Sequence, residues 1–326
     1  MKKIIALLMV VVFGVSFVAC GPSGGSSDEE NSSTNTTTAQ TLIADTPVTV
    51  NDYAQITLFK VTTGKKVTAS MGGGIYYENN TDGETYVDVV LDFTNLSDRN
   101  ISSERALVAA ALGESGQKYT DCLYLIESDN GHSLTRYEDI LPLSTVRLHC
   151  TFSVPETETD LFLRLGVKNK KFAIDYSLGE TISSAKVISL NTTIGSTDYA
   201  TLKLIDTEYT DDLLPTDASC VYSHYEIDNP SNTYLVVKFI VTNYTASAKE
   251  SGDFVSVKAQ YMNKYTYTGF TVVEDENEKG FNMYEDIIPL TPRRFYYLIE
   301  VPKTVMEKDV SITLAFDGQE YIYHRK

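Results

Sequence analysis

The strongest constraint on this chain is a segment written twice. Tyr137-Glu138-Asp139-Ile140-Leu141-Pro142-Leu143 returns as Tyr284-Glu285-Asp286-Ile287-Ile288-Pro289-Leu290, 147 positions later. Other pairs keep the same order and nearly the same offset. Tyr77-Glu78 and Thr85-Tyr86 match Tyr225-Glu226 and Thr233-Tyr234 at 148, and Asp52-Tyr53-Ala54 matches Asp198-Tyr199-Ala200 at 146. Lys118-Tyr119-Thr120 matches Lys264-Tyr265-Thr266, again at 146. The run VDVVLDFTNLS from Val87 pairs with LVVKFIVTNYT from Leu235. A repeat of this length is a whole domain rather than a solenoid unit. The expected boundaries are residues 46–187 for the first copy and 188–326 for the second.

Each copy reads as β. From Tyr86 to Phe93, residues Val87, Val89, Leu91 and Phe93 fall on one side, and Tyr86, Asp88, Val90 and Asp92 on the other. That alternation is the mark of a half-buried strand. Val236–Val241 is more evenly apolar, as in a strand covered on both faces. Further strands are expected at Ile56–Val61, Val108–Leu112, Leu123–Glu127, Thr145–Val154, Leu161–Val167 and Lys171–Tyr176. In the second copy they fall at Leu202–Asp206, Phe254–Gln260, Tyr267–Val273, Arg294–Val301, Ser311–Phe316 and Tyr321–His324. Only short stretches such as Ser102–Ala111 suit a helix. The expected fold class is all-β, with two β-sandwiches in tandem.

Three motifs recur in both copies: Tyr86–Asn95, Asp139–Leu143 and Val154-Pro155, and then Tyr234–Asn243, Asp286–Leu290 and Val301-Pro302. Together they resemble the immunoglobulin-like (telokin-like) domain of unknown function common in lipoproteins of Gram-positive bacteria. The resemblance implies an immunoglobulin-like sandwich and no defined chemistry. Where that family has Gly at the end of an L-x-P-G segment, this chain has Leu143 and Leu290.

The N-terminus supplies an address. Lys2 and Lys3 precede an apolar run, Ile4 to Val18, followed by Ala19 and Cys20. This is the order of a secretory signal, and it resembles a bacterial lipoprotein signal cut before a lipidated cysteine. The run is short for a membrane span of ~20 residues. Residues 1–19 are therefore expected as signal peptide and Cys20 as the lipidation site. Residues 20–45 are expected as a disordered tether, because Gly21–Gln40 holds no large apolar residue. The expected location is the extracytoplasmic face of a bacterial membrane.

Removing Lys2 and Lys3 takes the formal charge from −17 to −19, which disfavours nucleic acid and anionic lipid as partners. With Cys20 at the anchor, Cys122, Cys150 and Cys220 remain. Cys150 shares a strand face with Val146, Leu148, Phe152 and Val154; Cys122 and Cys150 form either a disulfide or two free thiols. Asp275, Asn277, Gly280 and Asp286 fall at calcium-loop positions. Lys279 stands where an oxygen ligand is needed, so a solvated hairpin is the better reading and no metal or cofactor is expected. His132, His149, His224 and His324 form no metal-binding spacing. Tyr261, Tyr265 and Tyr267 form a candidate aromatic surface for a protein or an envelope glycan, or else fill structural positions.

The expected function is a non-enzymatic binding or structural module. One rival is a small-ligand carrier with an inter-domain cleft. Another is an envelope hydrolase using Glu138 and Asp139 with their copies Glu285 and Asp286. The anchor has a direct test. Cys20→Ala moves the protein from the membrane fraction to the soluble fraction, and retention of the variant in the membrane contradicts the lipidation.

Overall fold

The computed structural model describes residues 39–219, 222–262 and 265–325. The signal, Cys20, most of the tether, Cys220 and Lys264 lie outside the described residues. Among the described residues no helix is long and apolar enough to cross a membrane.

The first domain has seven main strands: β1 (Ala54–Gly64), β2 (Glu84–Asn95), β3 (Val108–Gly113), β4 (Cys122–Glu127), β5 (Thr145–Pro155), β6 (Asp160–Val167) and β7 (Lys170–Ser177). The second repeats them as β8 (Ala200–Thr210), β9 (Asn232–Asn243), β10 (Val255–Tyr261), β11 (Phe270–Glu274), β12 (Arg293–Pro302), β13 (Val310–Phe316) and β14 (Gln319–Arg325). In the first domain β1, β2, β5 and β4 form one sheet in that order, facing β3, β6 and β7. In the second, β8, β9, β12 and β11 face β10, β13 and β14. Four strands against three in this order is the constant-type immunoglobulin arrangement. Each domain is a β-sandwich of that class.

The inward residues follow the alternation read from the sequence. Val87, Val89, Leu91 and Phe93 are fully buried and meet Leu148, Phe152 and Val154 of β5. Val237, Phe239 and Val241 do the same in the second core. Tyr53 and Tyr199 brace the two sandwiches alike. The Tyr53 hydroxyl donates to the Ala106 carbonyl at 3.0 Å, and that of Tyr199 to the Asp253 carbonyl at 3.3 Å.

Three expectations need correction. The first domain begins before residue 46: Gln40–Thr41 pairs in parallel with β7, and Leu42 is buried in the core. Its counterpart Lys186–Val187 pairs with β14, so that pair belongs to the second domain. Two-residue strands carry too little periodicity to be seen in a sequence. The expected strand Tyr267–Val273 divides at Gly269 into Tyr265–Thr268 and β11, which lie in different sheets. A Cβ at Gly269 would collide with the Leu298 carbonyl, so only glycine permits the crossing. Finally, the helix is confined to α1 (Ser103–Ala106).

One buried residue per domain ties the duplicated motifs together. Asn95, at the end of β2, donates from Nδ2 to the carbonyls of Arg99 (2.7 Å) and Ile140 (2.9 Å). Its Oδ1 accepts from the Ser97 backbone N–H at 2.9 Å and hydroxyl at 2.7 Å. Asn243 repeats this with Ser247 (2.9 Å), Ile287 (2.8 Å) and Thr245. Both asparagines are fully buried. The Thr-Asn ending of one motif therefore clamps the Asp-Ile-x-Pro-Leu segment of another. Replacing Asn95 by Ala leaves buried carbonyls without donors. It lowers the unfolding free energy of the first domain by about 2–4 kcal/mol in urea titration, whereas a cost near zero rules the clamp out.

Candidate functional site

Two surfaces have features that packing alone does not require. The first is the clamped segment. Leu141-Pro142-Leu143-Ser144 makes a turn closed by Ser144 N–H donating to Leu141 O at 3.1 Å, with Leu143 at φ 61°. Proline followed by a left-handed residue is a type II turn, and its third position favours glycine. Leu290 takes φ 62° at the same place in the second domain. Tyr137 and Tyr284, which open the two segments, sit at φ 63° and 58°. These four side chains point outward: Leu143 is 77% and Leu290 70% exposed, and both tyrosines are 68% exposed. Leu141 and Ile288 are exposed as well. The Leu143 and Leu290 amides donate to the carbonyls of Asn95 (2.8 Å) and Asn243 (2.7 Å), so the clamp fixes each loop tip. Each domain thus presents apolar and aromatic side chains on a hydrogen-bonded loop tip, an arrangement suited to binding by contact.

The second surface lies between the domains. The outer face of the four-stranded first-domain sheet carries Lys60, Asp88, Asp92, Arg147 and His149, and it packs against the second domain. Lys60 Nζ bonds Glu320 Oε1 at 2.7 Å, and Arg147 Nη2 donates to the Gly318 carbonyl at 2.8 Å. Arg147 also holds Asp92 at 2.9 Å and lies 3.5 Å over the ring of Phe59. His132 Nε2 stands 3.5 Å from Asp253. Beneath this contact, His149 is nearly inaccessible, with Nδ1 2.8 Å from Asp88 and Nε2 3.4 Å from Glu127. Thr151 donates to Asp88 at 2.8 Å, and Ser70 donates to Glu127.

Burial by itself opposes a charge on His149, but Asp88 and Glu127 outweigh it and hold the imidazolium to about 9. Burial likewise raises the Glu127 carboxyl, and the hydrogen bonds from His149 and Ser70 with the charges of His149 and Arg147 bring it below its ordinary value. Lys258 of β10 joins the layer. Burial and the charge of Lys60 lower its pKa against the pull of Glu320 and Glu127. An open cleft of ≈ 470 Å³ borders the contact, lined by Asp92, Arg147, Lys249, Asp253 and Asp317 among others. Burial and Asp198 raise the Asp317 carboxyl, opposed by Lys249.

The other expected site residues fall elsewhere. Tyr261 is not part of an exposed row: it is fully buried, its hydroxyl 2.8 Å from that of Tyr209. Parity on β10 accounts for this, because Val257, Ala259 and Tyr261 all point inward. Tyr267 is half-buried against the same core, leaving Tyr265 as the exposed member. Cys122 and Cys150 are free thiols. They share a face but stand diagonally, since Cys122 opposes Phe152 and Tyr124 opposes Cys150. Diagonal neighbours have Cβ atoms ~7 Å apart or somewhat less, against ~3.8 Å in a disulfide. A hydrogen bond with the Cys122 sulfur, and burial, hold the Cys150 thiol well above its ordinary pKa.

Asp275 and Asn277 both accept from the Lys279 N–H, at 2.9 and 2.8 Å, in a hairpin turn. Among the described residues no group of three or more His, Cys, Asp or Glu is disposed to hold a metal. Glu138, Asp139, Glu285 and Asp286 lie on exposed or half-exposed edge pairings, as in Asp139 with Ser102 and Asp286 with Glu250. Sequence reasoning missed the His149 layer. Its signal was weak: an isolated His on the polar side of β5, whose partners Asp88 and Glu127 come from two other strands.

No protein-family model and no curated protein matches the chain. Among solved structures, an uncharacterized β-sandwich protein from Clostridium difficile 630 aligns with 26% identity over 44% of this chain and 95% of its own, at a TM-score of 0.41. Bovine butyrophilin aligns with 10% identity over 78% of this chain and 93% of its own, at 0.18.

The charged layer has a pH signature. A histidine held to about 9 when folded contributes its stability fully below its unfolded value of ~6.5 and loses it as pH rises through 9. The wild-type chain should therefore lose ~3 kcal/mol between those limits relative to His149→Gln. Parallel urea titrations of the two proteins measure the difference, and identical pH profiles contradict a charged His149.

Proposed function

We propose that this chain is a non-enzymatic, lipid-anchored module on the extracytoplasmic face of a bacterial membrane, held there through Cys20. It binds or braces a protein or an envelope glycan through the loops of its two immunoglobulin-like domains. One observation carries the reading: both domains keep exposed leucine and tyrosine side chains on backbone positions that favour glycine. A left-handed non-glycine residue costs ~1–2 kcal/mol, and the side chains add nothing to either core. A cost retained twice at the same exposed turn supports a role for the side chains themselves. Tyrosine and leucine on a rigid turn suit stacking on sugar rings or docking on an apolar protein pocket. Two such loops on one tethered molecule also suit bivalent engagement.

A second reading is a small-ligand carrier using the inter-domain cleft. It rests on the ≈ 470 Å³ opening lined by side chains of both domains, acidic at Asp92, Asp253 and Asp317 and basic at Arg147 and Lys249. The hydrolase reading rests on repeated carboxylates alone. Enzymes rarely keep one site twice, whereas loops recur with their fold.

Substituting glycine at the turn tests the leading reading. Leu143→Gly and Leu290→Gly each raise stability by ~1 kcal/mol in urea titration, since the left-handed strain is relieved. The double variant loses retention of partner from an envelope extract that the wild-type chain retains. Lower stability in both variants, or undiminished retention, contradicts the role given to these side chains.

A further inference from the structure

The two domains meet through unlike surfaces. The first domain offers the outer face of its four-stranded sheet, and the second the outer face of its three-stranded sheet, β10, β13 and β14. Each domain also carries the counterpart of the surface its neighbour uses. The strand registers fix which residues correspond. Val167 faces Lys170 across the β6–β7 turn as Phe316 faces Gln319 across the β13–β14 turn. Asp317 therefore answers to Lys168, Gly318 to Asn169 and Glu320 to Lys171. The two turns share a backbone, with Lys168 at φ 53° and Asp317 at φ 50°. On the other surface, β1 and β8 carry the same bulge, after Leu58 and after Leu204. Lys60 then opposes Val90 as Asp206 opposes Lys238, so Lys60 answers to Asp206. Arg147 answers to Arg294 by the same alignment.

The ion pair that joins the domains, Lys60 with Glu320, therefore has a counterpart with reversed sign: Asp206 with Lys171. Lys171 is exposed and, among the described residues, makes no ion pair. Asp206 lies 3.8 Å from Lys238, which holds Glu208 closer at 2.9 Å. The three-stranded face of the first domain is also apolar where its copy is not. Val108 is 60% and Phe162 38% exposed, where the second domain has Ser256 and Ser311. Across from it, Ile205 of the second domain is half-exposed, although its counterpart Phe59 is buried beneath Arg147. One equivalent pair is of like charge, Lys279 and Arg105 in place of His132 and Asp253. Asp217, 3.7 Å from Lys279, offsets it.

We infer that the chain associates head to tail with a second copy of itself. The three-stranded face of the first domain of one molecule docks on the four-stranded face of the second domain of the next, pairing Lys171 with Asp206. Each molecule offers one surface of each kind, so the contact is heterologous and extends into a row unless it closes into a ring. A membrane-held population raises the local concentration and favours a weak contact. The inference depends on neither the lipid anchor nor the exposed loops, and its failure leaves those readings untouched.

The test uses sedimentation velocity on the chain from Gly21 onward, which retains every described element, from ~10 μM to ~1 mM. Wild type sediments as growing species with rising concentration, less so at high salt. Lys171→Glu alone and Asp206→Lys alone each weaken association by at least about tenfold, because each places like charges across the contact. Mixed in equal amounts, the two variants associate again. Asp206 of the first then meets Lys171 of the second, and the two substituted positions also pair with opposite sign. Misfolding of either variant cannot produce that recovery. A wild type that stays monomeric throughout overturns the inference, as do single variants that still associate or a mixture that does not.

Discussion

A buried asparagine at the end of the second strand of each domain is the constraint on which the rest depends. An amide in the core must satisfy two donors and an acceptor, and unmet groups there cost more than the bonds return. Asn95 and Asn243 meet the requirement only if the chain beyond them folds back and if the Asp-Ile-x-Pro-Leu segment lies across the sandwich end. That geometry holds Ile140 and Ile287 in the core and directs the following leucines outward. The clamp therefore specifies both the closure of the sandwich and the loop it presents.

The contact between the domains follows a different logic. A sheet face bearing Lys60, Asp88, Asp92, Arg147 and His149 would be at home in water. Yet the first domain's own Ser70 segment lies over Glu127 beside it, and the second domain meets it at Lys60 and Arg147. Desolvating such groups is costly, and a buried ion pair adds little net stability over an apolar equivalent. The groups that cross the contact instead select one orientation, since Lys60 meets Glu320 and Arg147 reaches the Gly318 carbonyl in only one docking geometry. The reciprocal surfaces are accessible at Val108, Phe162 and Lys171 on one domain and at Asp206 on the other, beside the part of that sheet covered by Leu213 and Tyr225.

Much of the sandwich was legible because alternation survives at full strength in the long strands. Val87, Val89, Leu91 and Phe93 point inward as their spacing requires. The tandem organisation was legible from the repeated motifs, though their reason emerged only when the Thr-Asn ending was seen to hold the Pro-Leu turn. What stayed hidden depends on more than local pattern. Asp88 read as solvent-facing, and His149 as part of no site, because alternation reports a strand's two sides and not what covers them. Tyr261 entered a candidate surface because its neighbours in sequence were tyrosines, while its parity with Ala259 placed it in the core. Lys171 and Asp206 carry no motif at all; their relation follows from register and from the way the chain packs on itself.

The central claim is that the clamp presents two strained apolar turns as rigid elements of the fold. Native-state hydrogen exchange at the backbone amides of Leu143 and Leu290 addresses it most directly. These groups donate to the Asn95 and Asn243 carbonyls at 2.8 and 2.7 Å, at the surface of an otherwise exposed loop. The account predicts slow exchange at both amides, released together with the strand-end amides of Asn95 and Asn243 in one cooperative opening. Exchange at the rate of an unstructured peptide would contradict it.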